Sequence, residues 1–464
     1  MKKLPLTDSA WLTMESDTTP MHVGSLQLFE LPNNAPDDYL QQLMQRWLTF
    51  DEPQPPFNQK LVYPLKGPKQ PHWDTDTEFD IGYHVRHSAL PRPGRVRELL
   101  VLVSRLHGSL LDRSRPMWEL HLIEGLEGKR FAIYTKMHHS VVDGMAGMRL
   151  LQSSLSERAD QLDQPPPWAM QRAPKKPSKR SPAEAGEEAA ATALPKQMLG
   201  NLAGNAGSIP ALISGGRKSL GADRKIKAVA PYQAPKSLIN QRVSKARRFV
   251  AESYSLERIK AIGKQHGATV NDIVMAMCAG ALRRYLSEHD ALPDKPLIGD
   301  APVSIRPADQ AEAGGNAISI ILMDLATNEA DPLKRLARIR ESMQAGKDKL
   351  GAMSRKQILN YTTLVMLPFT IGQLIGTAGR VRPMFNLVIS NVPGPKKSLY
   401  LNGARMQGMY PVSLLFNGQA LNVTVTSYVD SLDFGVIACR RSMPQVQRLL
   451  DHLEASLAEL EARN

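Results

Sequence analysis

Residues 162–190 cannot belong to a packed core. Within them stand Pro165, Pro166, Pro167, Pro174, Pro177 and Pro182, the cations Arg172, Lys175, Lys176, Lys179 and Arg180, and then an alanine and glutamate run. Proline fixes φ and removes a backbone donor, so this density ends helices and strands alike and marks a surface linker. The chain has 464 residues, beyond the size at which one hydrophobic core keeps growing. The break therefore predicts a first lobe over residues 1–161, a linker and crossover helix over 162–235, and a second lobe over 236–464. On both sides short β-prone runs alternate with amphipathic helical stretches, the pattern of mixed α/β lobes. The Ala/Gly/Leu-rich residues 191–230 predict the crossing helix, and leucines at helical spacing over 443–462 predict a closing amphipathic helix.

Charge narrows the partners. A formal net charge of +13 calls for something anionic: nucleic acid, phospholipid headgroups or a phosphorylated ligand. Neither zinc-finger spacing nor an aromatic-glycine RNA-binding signature occurs, so no nucleic-acid partner is expected. The amino terminus is basic but lacks the apolar run of a signal peptide, which predicts a cytoplasmic protein. Cys278 and Cys439 are far apart among apolar or small residues and read as reduced, structural thiols. Residues 357–379 carry no charge, but Asn360, Pro368, Gln373 and several threonines dilute them below the about 20 predominantly apolar residues a membrane span needs. That segment is expected as a helix that either lines a buried apolar pocket or lies at a lipid interface.

The chemistry is concentrated in His138, His139, Asp143 and Gly144, within the string from Tyr134 to Gly147. Composition alone would produce two adjacent histidines followed at this distance by Asp-Gly about once in a thousand chains of this length. Phe131, Ile133, Tyr134 and Thr135 form a β-prone run before the pair, and Met145, Met148 and Leu151 follow at helical spacing. The histidines thus sit where a strand gives way to a helix. Neighbouring side chains at a strand end point to opposite faces, so one imidazole is expected to face a cavity and the other to pack. Imidazole accepts and returns a proton near neutral pH, as general acid–base chemistry requires. Asp143 reads either as a cap for the following helix or as half of a buried ion pair, and Gly144 as a close turn. Metal is not expected: the nearest histidine, His121, falls on another predicted strand, and no Cys or Glu completes a ligand spacing.

These residues resemble the bacterial wax ester synthase/acyl-CoA:diacylglycerol acyltransferase family, within the larger His-His-x-x-x-Asp-Gly acyltransferase and condensation-domain superfamily. The resemblance runs nearly end to end. It is carried by Pro20–Gly24, by Leu111–Glu119 leading into Ile123–Gly125, and by the histidine string itself. Further along it is carried by Thr269–Asp272, Pro302–Arg306, Ile389–Pro395, and Ser427-Tyr428 with Phe434-Gly435. Two positions depart from the pattern: Met117, where leucine is usual, and Ser431, where a turn commonly has glycine.

The resemblance implies an α/β fold of two chloramphenicol-acetyltransferase-like lobes, each a mixed sheet flanked by helices, with the active site between them. It implies an O-acyltransferase that makes wax esters from long-chain alcohols or triacylglycerols from diacylglycerol. The acyl donor would be acyl-CoA as a co-substrate, with no bound cofactor, no metal and no covalent acyl-enzyme. His139 would be the general base and His138 its packed neighbour. Asn271 would assist at the oxyanion; alternatively Asn271, or Thr269 with Asp272, caps a helix over Ile273 to Tyr285. Arg306 would pair with Asp143 across the lobes, and Asn391 would touch substrate unless it only builds a Pro-Gly turn. Peripheral association with the inner membrane or with lipid inclusions would follow from the charge and the lipid product. The rivals are a condensation-type acyltransferase acting on carrier-bound substrates and a catalytically silent lipid-binding protein of the same fold.

Overall fold

A computed structural model describes residues 2–4, 6–63, 71–142, 144–170, 228–304 and 318–463. The basic group Arg172–Arg180 and most of the expected crossover helix lie outside the described residues. In chain order the first half holds β1 (Lys2–Lys3), α1 (Leu6–Met14), β2 (His22–Glu30), α2 (Tyr39–Leu48), β3 (Gln59–Val62), β4 (His72–Thr75), α3 (Ile81–His84), β5 (Val85–Ala89), α4 (Val96–His107), β6 (Trp118–Leu126), β7 (Arg130–His138) and α5 (Gly144–Gln152). The second holds β8 (Arg247–Ser255), α6 (Leu256–Gln265), α7 (Val270–Glu288), β9 (Ile298–Ser304), β10 (Ile318–Asp324), α8 (Pro332–Gly351), α9 (Arg355–Leu374), β11 (Leu387–Val392), β12 (Tyr400–Leu401), β13 (Ala404–Val412), β14 (Leu421–Tyr428), β15 (Ser431–Cys439) and α10 (Arg448–Glu461).

Two six-stranded mixed sheets organise these elements, in the orders β12-β13-β2-β7-β6-β5 and β10-β9-β11-β14-β15-β8, with a small sheet β1-β4-β3 beside them. Strand β7 is buried on both faces. Phe131, Ile133 and Met137 pack into one core, and Ala132 and Tyr134 into another. A strand sandwiched this way reads as a continuous apolar run rather than an alternation, which is why Phe131 to Tyr134 stands out in the sequence. Helix α7 is apolar on nearly every side, as a helix inside a core must be, and is buried from Asp272 through Leu282. The closing helix starts at Arg448, five residues later than its leucine spacing suggests. Pro444 disfavours helical geometry at Met443, and Gln445 takes a left-handed φ of 51°, so the helix can start only beyond it.

The halves of the chain are interleaved. Strands β12 and β13 fall within the stretch read as the second lobe, yet β13 pairs antiparallel with β2, placing Met409 opposite Gln27 and Val412 opposite Gly24. The first sheet is therefore completed by residues from beyond position 400. Strand β13 also crosses the second sheet, where a Cβ on Gly435 would lie 1.9 Å from the carbonyl oxygen of Pro411. Only glycine allows backbones this close. Beside the crossing, the buried Asp433 carboxylate accepts hydrogen bonds from Met409 N–H (2.7 Å), Ser253 (2.7 Å) and Ser431 (2.7 Å). The seam between sheets is thus a satisfied polar joint in an apolar surround.

Candidate active site

Strand β7 delivers the histidine pair to the sheet end and backbone bonds hold it there. The amide of His138 donates to Met117 O (3.0 Å), that of His139 to Met21 O (2.8 Å), and that of Val141 to His138 O (2.9 Å), closing the turn before α5. Met117, one of the two departures, thus serves through its backbone, with its side chain in a small core beside Leu111. The other departure, Ser431, turns its hydroxyl onto Tyr428 O and Asp433, so serine there contributes to the seam.

His138 is sealed from solvent, at 0% exposure. Its Nδ1 lies 3.1 Å from the Ser140 backbone N–H and 2.7 Å from Ser140 Oγ. A backbone N–H can only donate, so Nδ1 is the acceptor and the neutral ring carries its proton on Nε2. Nε2 faces Glu15 Oε1 at 3.5 Å. Glu15 follows α1 directly and is gripped from several sides: Met21 N–H donates to Oε1 (3.0 Å), and Arg113 donates to Oε2 through Nε (3.0 Å) and Nη2 (2.8 Å). Burial pushes this carboxyl up, but His138, Met21 and Arg113 outweigh it and hold Glu15 down at about 2. A fixed negative charge therefore sits behind His138 across the neutral pH range.

His139 turns the other way and is partly exposed. Its ring stacks on the indole of Trp11, with centroids 3.9 Å apart and planes 20° from parallel. From Trp11 a file of aromatic rings continues to Phe416 (6.2 Å), Phe369 (5.2 Å) and Phe385 (5.9 Å). Phe369 belongs to α9, which holds most of the charge-free segment and packs against α1. From Tyr361 to Gln373 this helix is half-buried at almost every position, so its apolar surface is neither sealed in a core nor open to water. No described helix is long and apolar enough to cross a membrane.

Beneath the pair the sheet carries a buried polar layer. His22, opposite His138 in the register, donates from Nε2 to His107 O (2.8 Å). His107 donates from Nε2 to Ser413 O (2.7 Å) and accepts at Nδ1 from the Tyr134 hydroxyl (2.8 Å). Burial drives His107 down to about 3, and burial with the nearby His107 drives His22 well below the ordinary histidine value, so both rings stay neutral. Lys136, also buried, pairs with Glu119 (3.2 Å) and donates to Leu106 O (3.1 Å) and Ser109 O (3.1 Å), tying the end of α4 to the sheet.

The other expected residues are placed as follows. Thr269 and Asp272 form a reciprocal capping box, and the helix they start runs from Val270 to Glu288, longer than Ile273 to Tyr285. Asn271, between them, takes no part in the cap and is partly exposed in the first turn of α7. Asn391 sits in β11 opposite Val425, with the turn beginning after Val392, and is also partly exposed. In that turn a Cβ on Gly394 would meet Ser427 O at 2.0 Å. Gly144 opens α5, while Asp143 and Arg306 lie outside the described residues. Among the described residues no three His, Cys, Asp or Glu side chains gather as metal ligands. Cys278 and Cys439 are buried and unbridged.

Trp11 and Glu15 were not singled out from the sequence. The signal that could have found them is their spacing of four residues, which puts an aromatic and a carboxylate on one face at the end of α1, just ahead of Pro20–Gly24.

A wax ester synthase/diacylglycerol acyltransferase catalytic-domain profile matches residues 4–274, and the C-terminal domain profile of the same group matches 314–461. O-acyltransferase WSD of Acinetobacter baylyi is 44% identical over 460 residues, covering 98% of this chain and 96% of its own. A probable diacylglycerol O-acyltransferase of Mycobacterium tuberculosis is 46% identical over 454 residues, covering 98% and 97%. The solved wax ester synthase/diacylglycerol acyltransferase of Marinobacter aquaeolei VT8 superposes with a TM-score of 0.80 at 42% identity, covering 99% of each chain. The first condensation domain of the calcium-dependent antibiotic synthetase shares the fold, with a TM-score of 0.59 at 15% identity and coverage of 99% and 95%.

Proposed function

Since the chain belongs to the wax ester synthase/diacylglycerol acyltransferase family and is an acyltransferase, we propose that it transfers a fatty acyl group from acyl-CoA to the hydroxyl of a long-chain alcohol or of diacylglycerol, with His139 as general base. The observation that carries this reading is the contrast within the pair: His138 is sealed against Glu15, while His139 is partly open and stacked on Trp11 at the head of an apolar aromatic file.

His139 removes the hydroxyl proton as the alcohol oxygen attacks the thioester carbonyl. The C–O bond forms, and the carbonyl electron pair moves onto oxygen as a tetrahedral oxyanion. The Asn271 amide, free of the capping box, donates to that oxyanion. The oxyanion collapses, the C–S bond breaks, and the imidazolium returns the proton to the departing thiolate. Ester and free coenzyme A result without a covalent acyl-enzyme. In this scheme Arg306 and Asp143 pair across the lobes, and Asn391 contacts substrate. Acyl-CoA is a co-substrate, and no metal takes part. The enzyme works in the cytoplasm at the inner membrane or at lipid inclusions, where its acceptors and products partition.

The test is thiol release from palmitoyl-CoA with hexadecanol or a diacylglycerol as acceptor, with the ester product identified chromatographically. His139→Ala should reduce both signals to background, and Asn271→Ala should lower kcat by about 10²–10³-fold. Unchanged turnover in His139→Ala would remove the mechanism. An Arg306→Ala protein with wild-type turnover and stability would remove the cross-lobe pair.

A further inference from the structure

Between Asp348 and Asp430 the sequence contains no Asp or Glu, while Lys349, Arg355, Lys356, Arg380, Arg382, Lys396, Lys397 and Arg405 all fall inside that span. Residues 228–251, which pack beside its middle, also lack acids and carry Lys236, Arg242, Lys245, Arg247 and Arg248, of which Lys236 and Arg242 lie nearest this segment. Large hydrophobic side chains are exposed at seven described positions, and three of these, Leu374 (44%), Ile375 (62%) and Val381 (55%), fall within eight residues at the outer end of α9.

The cations stand around those aliphatics. Arg380 and Arg382 flank Val381 in sequence and both are exposed. The Lys236 ammonium donates to Arg380 O (3.2 Å), and Arg382 donates to Ala234 O (2.9 Å) and Gln233 O (2.8 Å). Gly379 lets Arg242 approach, since a Cβ there would lie 2.9 Å from the Arg242 Cγ. Lys236 and Arg382 donate to neutral carbonyls, and none of the four cations pairs with a carboxylate among the described residues, so their positive charge remains uncompensated. The same helix leads inward: Phe369 stands five residues before Leu374, about 7.5 Å along the axis, and begins the aromatic file to Trp11 and His139.

We propose that this face, Leu374, Ile375 and Val381 ringed by Lys236, Arg242, Arg380 and Arg382, docks the enzyme on an anionic phospholipid bilayer. The aliphatics enter the headgroup boundary and the cations contact phosphates. Charge complementarity favours lipid, because a surface without carboxylates meets no repulsion from anionic headgroups and each cation adds attraction. Continuity with α9 then lets a water-insoluble acceptor pass from bilayer to His139 along apolar surface. The inference rests on the acyl-transfer reading above and adds the surface that reading leaves unplaced.

The experiment is flotation of the full-length protein with phosphatidylcholine vesicles, with and without phosphatidylglycerol. Wild type should float with the phosphatidylglycerol vesicles and be released by salt. Leu374→Ser/Ile375→Ser/Val381→Ser should lose most of that binding, and Arg380→Gln/Arg382→Gln should weaken it by about tenfold or more, at roughly fivefold per charge. Both variants should melt as wild type does and keep wild-type turnover of a water-soluble short-chain alcohol. Wild-type binding in both folded variants overturns the proposal, as does a wild type that binds neither vesicle. If wild type releases no thiol from acyl-CoA but the variants still lose vesicle binding, the acyl-transfer reading fails and the docking surface stands.

Discussion

The imidazole of His139 lies face to face with the indole of Trp11, 3.9 Å between centroids and 20° from parallel. Trp11 comes from the first helix of the chain and His139 from the turn that follows β7, so the contact joins segments more than a hundred residues apart. Stacking covers a face of the imidazole and not its edge, where the nitrogens lie. His138 is held by other means, through Ser140 on one nitrogen and the Glu15 carboxylate facing the other. Helix α1 and the residue that follows it therefore brace both histidines, each with a different chemistry.

Replacing Trp11 should lower catalysis without unfolding the protein. The stack itself is worth about 0.5–1.5 kcal/mol, but a ring freed to shift by about 1 Å can lose about 10²-fold in rate. Trp11→Leu is expected to reduce kcat/KM by about ten- to a hundredfold with a melting temperature close to wild type. Trp11→Phe should retain most activity. Steady-state kinetics beside a thermal melt checks this, and wild-type kcat/KM in Trp11→Leu would show that the stack does not position the base.

Glu15 should make stability depend on acid. Its carboxyl lies at about 2 in the folded protein against an ordinary 4.5. The folded value is depressed, so the contribution is fully present above about pH 4.5 and is lost as pH falls towards 2. The gap amounts to at most about 3 kcal/mol. Urea unfolding of Glu15→Gln should give a lower plateau near neutrality and a flatter profile than wild type between pH 4.5 and 2. Parallel profiles would assign the acid sensitivity to other carboxylates, Glu119 first among them.

Legibility followed the range of the interactions. The position of His138 and His139 at a strand end could be read because Phe131 to Thr135 and the helix after Gly144 are local patterns. The box of Thr269 and Asp272 was legible because its partners are three residues apart. Glu15 was not, since what marks it is contact with Arg113 and His138, both far along the chain. Strand β13 was equally hidden. Its composition says that it is a strand, but nothing local says that its partner is β2 rather than a strand of its own half. Asn391 was weighed as a turn residue because Pro393 and Gly394 follow, yet pairing with β14 extends the strand to Val392.

The crossing of β13 over β15 gives a sharp steric prediction. A methyl group at Gly435 would stand 1.9 Å from the Pro411 carbonyl oxygen, and both partners are backbone in sheets. Relief requires one sheet to move, which costs about 1–3 kcal/mol for an overpacked core. Gly435→Ala should unfold at lower urea, whereas Gly267→Ala, with open space at its Cβ, tests only the cost of its positive φ. An unchanged urea midpoint in Gly435→Ala would mean the seam is looser than this contact implies.

Buried histidine should give the enzyme a second pH sensitivity, above that of its carboxylates. His107 titrates at about 3 when folded against 6.5 when unfolded, and His22 is displaced in the same direction. As pH falls below 6.5 the unfolded chain takes up protons that the folded one refuses. Stability is therefore fully present above 6.5 and declines below it, for His107 alone by about 2 kcal/mol between pH 6.5 and 5. His107→Gln keeps an acceptor for the Tyr134 hydroxyl and a donor for Ser413 O but cannot titrate. Its melting temperature should fall less than that of wild type across this window while thiol release at pH 7.5 stays near wild type. If the two proteins lose stability in parallel from pH 6.5 to 5, the buried rings are not its source.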